Sequence, residues 1–412
     1  MTIIEELTYR GLLHTLTDNE LAKKLEQEPI TFYLGADPTA DSLHIGHLVP
    51  YIVAKRLSER GHKPILLVGG GTGRIGDPSG KKEERQLLDD STIEHNVAKL
   101  STQVKNILPN AKIVNNYDWI KNFSMIQFLR DIGKHFGLNY MLAKDSVKSR
   151  LESGISFTEF SYQIIQSLDF LELYQKENCT MQIGGQDQWG NITAGLELIR
   201  KVEGNNAKAY GLVIPLLTKP DGTKFGKTAG DAVWLDKDRT SPYEFYQYWI
   251  NLGDEEAMER IKQFTSLSRE AIEAIEEKMQ ESPHLRHAQK AIAEELTTMI
   301  HGEHALAQVE NITKALFKGD VASLSKEEIE MGFKGIASIE TNTTISLVDA
   351  MIELALATSK REARTLIKQN AVAINGEKVA DEEAMITDNF KLHDTFTIIK
   401  RGKKHYGVIK HK

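Results

Sequence analysis

The sequence predicts an α/β protein with a parallel sheet over about residues 30–218, a helical region to about residue 317, and a small α+β tail. Three observations predict it. Short apolar runs alternate with amphipathic stretches through the first half, the mark of a parallel sheet flanked by helices. From Ser241-Pro242, with Pro at the first helical position, helical pattern continues to about Phe317. The tail carries a hairpin signal at Asn375-Gly376 between two short strand patterns.

Composition sets the bounds. At 412 residues, 41% hydrophobic and 26% charged, the chain has room for two or three ordinary globular domains. No apolar run approaches the roughly 20 residues of a membrane span, and the N-terminus MTIIEELTYRG lacks a basic-then-apolar secretory layout. The single cysteine, Cys179, excludes an intramolecular disulfide and points to a reducing cytoplasm. The net charge of −7 is unevenly spread: residues 344–412 hold 12 Lys and Arg against 9 Asp and Glu, a net of +3, leaving −10 elsewhere. That modest basic excess in the tail is the kind of footprint RNA binding requires.

The chain in order begins with residues 30–34 as a buried strand, breaking at Gly35 and passing Asp37-Pro38 and Asp41-Ser42 into a helix that runs to about Arg60. His44-Ile45-Gly46-His47 stands at that helix start, where unpaired amides favour an anion. Two histidines at this spacing also occur as caps or surface residues, and a zinc site would need a cysteine or third histidine nearby. The next strand, 64–68, runs into a glycine-rich loop. Gly71, Gly73 and Gly76 match the dinucleotide fingerprint only formally, because Asp77-Pro78 prolongs the loop where a helix should begin. Asp77, Lys81 and Arg85 supply charge there. Asp90 or Ser91 is the expected cap of a helix to about Ile107, then come a strand at 112–114 and one helix over 125–136.

The helix from Phe157 to about Tyr174 places Tyr162, Gln166 and Asp169 at i, i+4 and i+7, one polar stripe. A stripe of this kind is usually a solvated face. A phenol, an amide and a carboxylate together also equip a site for a small zwitterion with a polar tail. A strand at 181–183 ends in Gly184-Gly185-Gln186-Asp187-Gln188 before another helix, again placing glycines and a carboxylate at a strand end. After a strand pattern at 213–217 comes Lys224-Phe225-Gly226-Lys227-Thr228. It is not a P-loop, since Asp221 replaces the required glycine. Its two lysines suit charge developing on a triphosphate.

In the remainder, the aromatic run 243–249 is expected at a domain interface, and the acidic stretch 323–342 as an irregular linker. The tail predicts a helix over 346–356, a second opened by a Ser359/Glu362 capping box, and strands at 396–399 and 406–409 flanking a basic turn.

Taken together, His44-Ile45-Gly46-His47 and 224–228 resemble the two signatures of class I aminoacyl-tRNA synthetases. Over essentially the whole chain the sequence is similar to the bacterial-type tyrosyl-tRNA synthetase family. The resemblance implies a Rossmann-like parallel-sheet catalytic domain over 1–219. It implies a mobile signature loop with an α-helical anticodon-binding domain over 220–325. A linker over 326–343 and a small RNA-binding domain over 344–412, like one of a ribosomal small-subunit protein, complete the expected division.

The family implies that Tyr33 and Asp169 bond the substrate hydroxyl, that Asp77, Tyr162 and Gln166 hold its ammonium, and that Gln188 lies near its carboxylate. ATP would meet Gly35, Asp37, Thr39, His44, Gly46, His47, Gly185, Asp187 and Lys227. His44, His47, Lys81, Arg85, Lys224, Lys227 and Thr228 would serve the chemistry. The resemblance further implies magnesium entering with ATP, tRNA(Tyr) as partner and a homodimer, with no resident metal and no membrane. A related nucleotidyltransferase would need neither the helical middle nor the basic tail. A non-catalytic RNA-binding relative would not need both signatures. A tryptophanyl enzyme is disfavoured by Tyr33 and Asp169.

Overall fold

A computed structural model describes the whole chain except residues 81, 82, 84, 85, 149, 152, 153, 219–224, 226–231, 342, 403 and 412. The chain forms two compact units: Met1–Asp236 with Asn251–Ile292, and Lys237–Ile250 with Ala293–Lys412.

The first unit is built on six strands, β1 (Thr15–Leu16), β2 (Thr31–Ala36), β3 (Lys63–Val68), β4 (Lys112–Asn115), β5 (Cys179–Gly185) and β6 (Tyr210–Ile214), in the order β1-β6-β5-β2-β3-β4. All neighbours are parallel except β1, which pairs antiparallel with β6. The interior strands are apolar on both faces, as a doubly covered parallel sheet requires; in β3 every residue after Lys63 is buried. The strand order reverses between β2 and β5: β3 and β4 extend one side, β6 and β1 the other. Tyr33 pairs with Gln182, so the C-terminal ends of β2 and β5 open side by side. Ligands bind at this kind of reversal.

Helices α1 (Ile3–Tyr9) and α2 (Glu20–Gln27) precede the sheet core, and α3 (Leu48–Glu59) and α4 (Asp90–Ile107) follow β2 and β3. As the prolonged loop leads one to expect, no dinucleotide-type helix begins within the glycines: Thr72–Arg74 is a single 3₁₀ turn, and among the described residues regular helix resumes only at Asp90. Asp89 rather than Asp90 or Ser91 caps α4, accepting from the Thr92 amide at 2.8 Å and the Ser91 hydroxyl at 2.6 Å. The single helix expected over 125–136 is instead an α turn (Met125–Gln127), a π segment (Phe128–Ile132) and a 3₁₀ turn (Gly133–His135). In a regular helix Met125, Leu129 and Ile132 would share one face. The wider π turn separates them, burying Ile132 and leaving Leu129 exposed. α5 (Phe157–Glu177) and α6 (Trp189–Glu203) complete the sheet cover, with Tyr33, Ile65, Leu67, Leu168, Phe170 and Leu198 in one core cluster.

α7 (Pro242–Ile250) belongs to the second unit, α8 (Asp254–Phe264) and α9 (Arg269–Glu281) to the first, and α10 (His287–His301) spans the division before α11 (Glu303–Lys318). The aromatic run of α7 buries Phe245, Tyr246 and Trp249, and the Phe245 ring meets His301 edge-on at 5.0 Å.

The stretch expected as an irregular linker carries regular elements among its described residues. Ser325 and Glu328 form a reciprocal capping box on α12 (Lys326–Gly332), and β7 (Ser338–Thr341) joins the tail's sheet. Its acidic composition misleads because Glu328 is spent locally, on the Ser325 amide and on Asn311.

The tail adds β8 (Ile345–Ser346), α13 (Leu347–Glu353), α14 (Lys360–Lys368), β9 (Val372–Ile374), β10 (Glu377–Lys378), β11 (Met385–Ile386), β12 (Phe396–Arg401) and β13 (His405–His411). Ser359 caps α14, but Glu362 takes the Thr358 amide at 2.7 Å instead of completing the expected box. The β9–β10 hairpin turns through Asn375 and Gly376, both at positive φ, as the Asn-Gly signal predicts.

Candidate active site

The end of β2 delivers Gly35 and Ala36 to the sheet edge, and the chain turns at Asp37. The Asp37 carboxylate accepts from the Thr72 hydroxyl at 2.7 Å and the Tyr162 phenol at 2.9 Å. Its carbonyl accepts from the exposed Thr39 amide at 2.8 Å. Asp37 therefore ties the first turn to the glycine loop and to α5. Gly69 is required by this closeness: a Cβ there would stand 2.2 Å from the Asp37 Oδ1.

Ile45–His47 forms a 3₁₀ turn leading into α3. Nδ1 of His44 accepts from the Gly46 amide at 3.1 Å, and Nδ1 of His47 accepts from the His44 amide at 3.3 Å. Both Nδ1 atoms being acceptors, the network assigns each proton to Nε2, so each ring offers an Nε2–H donor. The rings stack at 3.8 Å, with His44 half-buried and His47 exposed. A Cβ on Gly46 would come to 2.9 Å from His44 Cε1 and 3.2 Å from the Phe225 carbonyl. The segment after the lysine signature is zipped to this turn: Ile45 donates to the Val233 carbonyl at 2.9 Å and Leu235 to that of Leu43 at 2.8 Å.

Gly185 ends β5, and Asp187 lies exposed in the 3₁₀ turn Gln186–Gln188 that opens α6. A Cβ on Gly80 would stand 3.8 Å from Asp187, so the loop after β3 and the turn after β5 form facing walls.

The stripe on α5 is not a solvated face. Tyr162 and Asp169 are buried and Gln166 is half-buried. Asp169 accepts from the Trp119 indole at 2.8 Å and the Asn116 amide at 2.9 Å. Burial pushes its carboxyl up to about 7; the two donors oppose the shift, and the charge of Asp37 adds to it. Tyr33 packs its ring 5.3 Å from Phe170, and its phenol is raised well above its usual range by burial and then by Asp169. The Tyr33 hydroxyl is buried with no hydrogen-bond partner among the described residues. A buried orphan beside a buried carboxylate is the mark of a place that a polar ligand completes.

A second network links the remaining residues. Gln188 donates to Asp77 at 2.7 Å, Asp77 also accepts from the Ser79 amide at 2.9 Å, and the Asn191 amide reaches Gln166 and Gln188, each at 3.1 Å. Asn191, Asn116, Trp119 and Thr72 were not anticipated. All four stand in the segments that follow the ends of β3, β4 and β5, which is the signal the sequence carries for them. Lys81, Arg85, Lys224, Lys227 and Thr228 lie outside the described residues; of 219–231 only Phe225 is described. Among the described residues no group of three or more His, Cys, Asp or Glu could hold a metal, and no helix is long and apolar enough to cross a membrane.

Comparison with known proteins identifies the family. A family model described as tRNA synthetases class I (W and Y) matches residues 24–318, and one described as the tyrosine–tRNA ligase SYY-like C-terminal domain matches 328–409. A tyrosine–tRNA ligase of Bacillus pumilus is 54% identical, covering 100% of this chain and 99% of the relative. The tyrosine–tRNA ligase of Geobacillus stearothermophilus is 52% identical with full coverage of both. Among solved structures, a C-terminally truncated mitochondrial tyrosyl-tRNA synthetase of Aspergillus nidulans is similar with a TM-score of 0.69 and 31% identity, over 77% of this chain and 94% of that one. An Archaeoglobus fulgidus tyrosyl-tRNA synthetase, at 17% identity and a TM-score of 0.57, shares the fold. The chain belongs to the class I tRNA synthetases and, within them, to the tyrosine–tRNA ligase family.

Proposed function

We propose that the protein activates L-tyrosine with ATP and transfers it to the 3′ end of tRNA(Tyr). The observation that carries this reading is the pairing of an unpartnered buried Tyr33 hydroxyl with a buried Asp169 carboxylate at the closed end of the site. The substrate phenol would bridge the two. Asp77, Tyr162 and Gln166 would receive the ammonium, with Gln188 beside the carboxylate. Tyr162 donates to Asp37 in the structure, which leaves its oxygen lone pairs to accept from an ammonium. Gly35, Asp37, Thr39, Gly46, Gly185 and Asp187 would wall the nucleotide.

The tyrosine carboxylate oxygen attacks the α-phosphorus, the bond to the bridging oxygen breaks, and pyrophosphate leaves with the electron pair. A terminal ribose hydroxyl of tRNA then takes the acyl group and releases AMP. No protein nucleophile is needed. The Nε2–H donors of His44 and His47 would bond the phosphates, and Lys81, Arg85, Lys224, Lys227 and Thr228 would neutralise departing pyrophosphate. Asp37 and Asp77 already accept hydrogen bonds from Thr72, Tyr162, Ser79 and Gln188, so magnesium would ride on the phosphate oxygens, where it offsets their charge.

The protein would work in the cytoplasm as a homodimer. The exposed apolar side chains Met125, Ile126, Leu129, Leu138 and Leu142 supply a surface that favours self-association. Residues 220–325 would meet the anticodon and 344–412 the body of the tRNA. Deleting the residues after 342 should weaken tRNA charging while tyrosine-dependent ATP–pyrophosphate exchange persists; collapse of exchange would overturn that division.

Amino-acid-dependent pyrophosphate exchange across all twenty amino acids tests the activity. Tyrosine should dominate, and a maximum with tryptophan or phenylalanine would refute the reading.

A further inference from the structure

We propose that Arg260 and Phe264 on α8 are positioning residues that fix the lysine signature through Phe225. The proposal rests on the reading above, in which Lys224 and Lys227 act on the phosphates.

Phe225 stands between those two lysines in sequence and is 4% exposed. Three elements hold it. Its ring lies 5.5 Å from that of Phe264, its amide donates to the Leu217 carbonyl at 3.3 Å, and its own carbonyl sits against Gly46 of the histidine signature. Arg260 places its guanidinium carbon 4.6 Å from the Phe225 ring centre, a cation–π contact away from water. The same guanidinium donates to the Thr218 carbonyl at 2.6 Å. One side chain therefore grips the segment both where it begins and beside its lysines.

Arg260 is 2% exposed, and its charge is balanced within α8. It donates to Gln263 at 2.8 Å and stands 3.5 Å from Glu256. A buried guanidinium needs such partners, and its planar fork suits several directed contacts at once.

The mount is itself fixed to the sheet body. Arg10 donates to the Lys262, Thr265 and Leu267 carbonyls at 2.9, 3.2 and 2.8 Å, and Arg56 donates to that of Thr265. Arg10 and Arg56 share the Glu6 carboxylate. The chain of contacts from α1 and α3 through α8 to Phe225 holds one point of the signature's backbone at a set distance from His44 and His47. Lysines that neutralise developing charge depend on such placement, because a displacement of about 1 Å costs on the order of 100-fold in rate.

The test uses the full-length protein in tyrosine-dependent ATP–pyrophosphate exchange. Arg260→Met should lower kcat by about 10–100-fold while the KM for tyrosine stays within about twofold. Phe225→Leu, which leaves the buried ion cluster intact, should do the same and carries the test if Arg260→Met does not fold. Arg260→Lys, retaining charge without the fork, should recover only part of the rate. In a Lys227→Ala background, either substitution should add less than about a threefold loss, since the clamp acts through the lysines. An unchanged kcat in both Arg260→Met and Phe225→Leu would overturn the clamp alone, as would losses that multiply fully with Lys227→Ala. Full activity of Lys227→Ala would overturn the lysine reading, and the clamp with it.

Discussion

The two ends of the site are built on opposite principles. The end beneath α5 is dry and made of side chains: Asp169, Tyr33 and Tyr162 are buried, and Asn116 and Trp119 hold the Asp169 carboxylate from two directions. The end at α3 is open and leans on backbone: His47 is exposed, and glycine stands where a Cβ would strike a neighbouring ring or carboxylate. A buried polar group is costly to leave unpaired, so the closed end can discriminate between ligands that do and do not satisfy it. On the proposed function, the open end would gain from close approach to charge that develops during reaction, which favours rate over selection. Selectivity and catalysis would then fall to different ends of one sheet edge.

That contrast can be broken most severely at the closed end. Asp169→Ala should cut the preference for tyrosine over phenylalanine by at least about 100-fold, the roughly 3 kcal/mol of a lost charged partner, measured as the ratio of kcat/KM values in exchange. Parallel loss of both activities would make Asp169 structural. At the open end, Gly46→Ala should lower kcat by about 10–100-fold through displacement of His44, leaving the tyrosine/phenylalanine ratio intact. A changed ratio would show that the two ends are not separable.

The smallest effect concerns pH. Asp169, raised to about 7 in the fold, has an ordinary value of about 4 in an unfolded chain. Its neutral form is favoured in the ligand-free protein, so the associated stability is full below about pH 4 and is lost as pH rises through about 7. The unfolding temperature without tyrosine should therefore rise on going from pH 8 to pH 6. Over the same interval the preference for tyrosine should fall by about 3–10-fold, because the protonated carboxyl loses its charge-assisted acceptor. A flat selectivity profile would place the acceptor elsewhere.

Much of the site was legible in the chain because its signals are local. The His44–His47 spacing, the glycines at strand ends and the i, i+4, i+7 stripe of Tyr162, Gln166 and Asp169 each lie within one element and its flanking turn. The supporting residues were not legible. Asn116 and Trp119 meet Asp169 across 53 and 50 positions, and Asp37 meets Tyr162 across 125. The stretch 326–343 shows the same limit. Its capping box was local and readable, but the parallel pairing of β7 with β13 joins residues some 70 positions apart.

The sequence by itself determined strands β2 to β5, most of the helices that cover them, the turns that end them and which residue types stand at those ends, because periodicity and turn chemistry act over a few residues; β1, two residues long, carries no such signal. Only the tertiary structure decided that the α5 stripe faces inward, that Asp169 is held by Asn116 and Trp119, and that Arg260 reaches Phe225. Those outcomes depend on the strand order β6-β5-β2-β3-β4 and on which helix packs beside which strand. Long-range burial sets that order, and no local spacing records it.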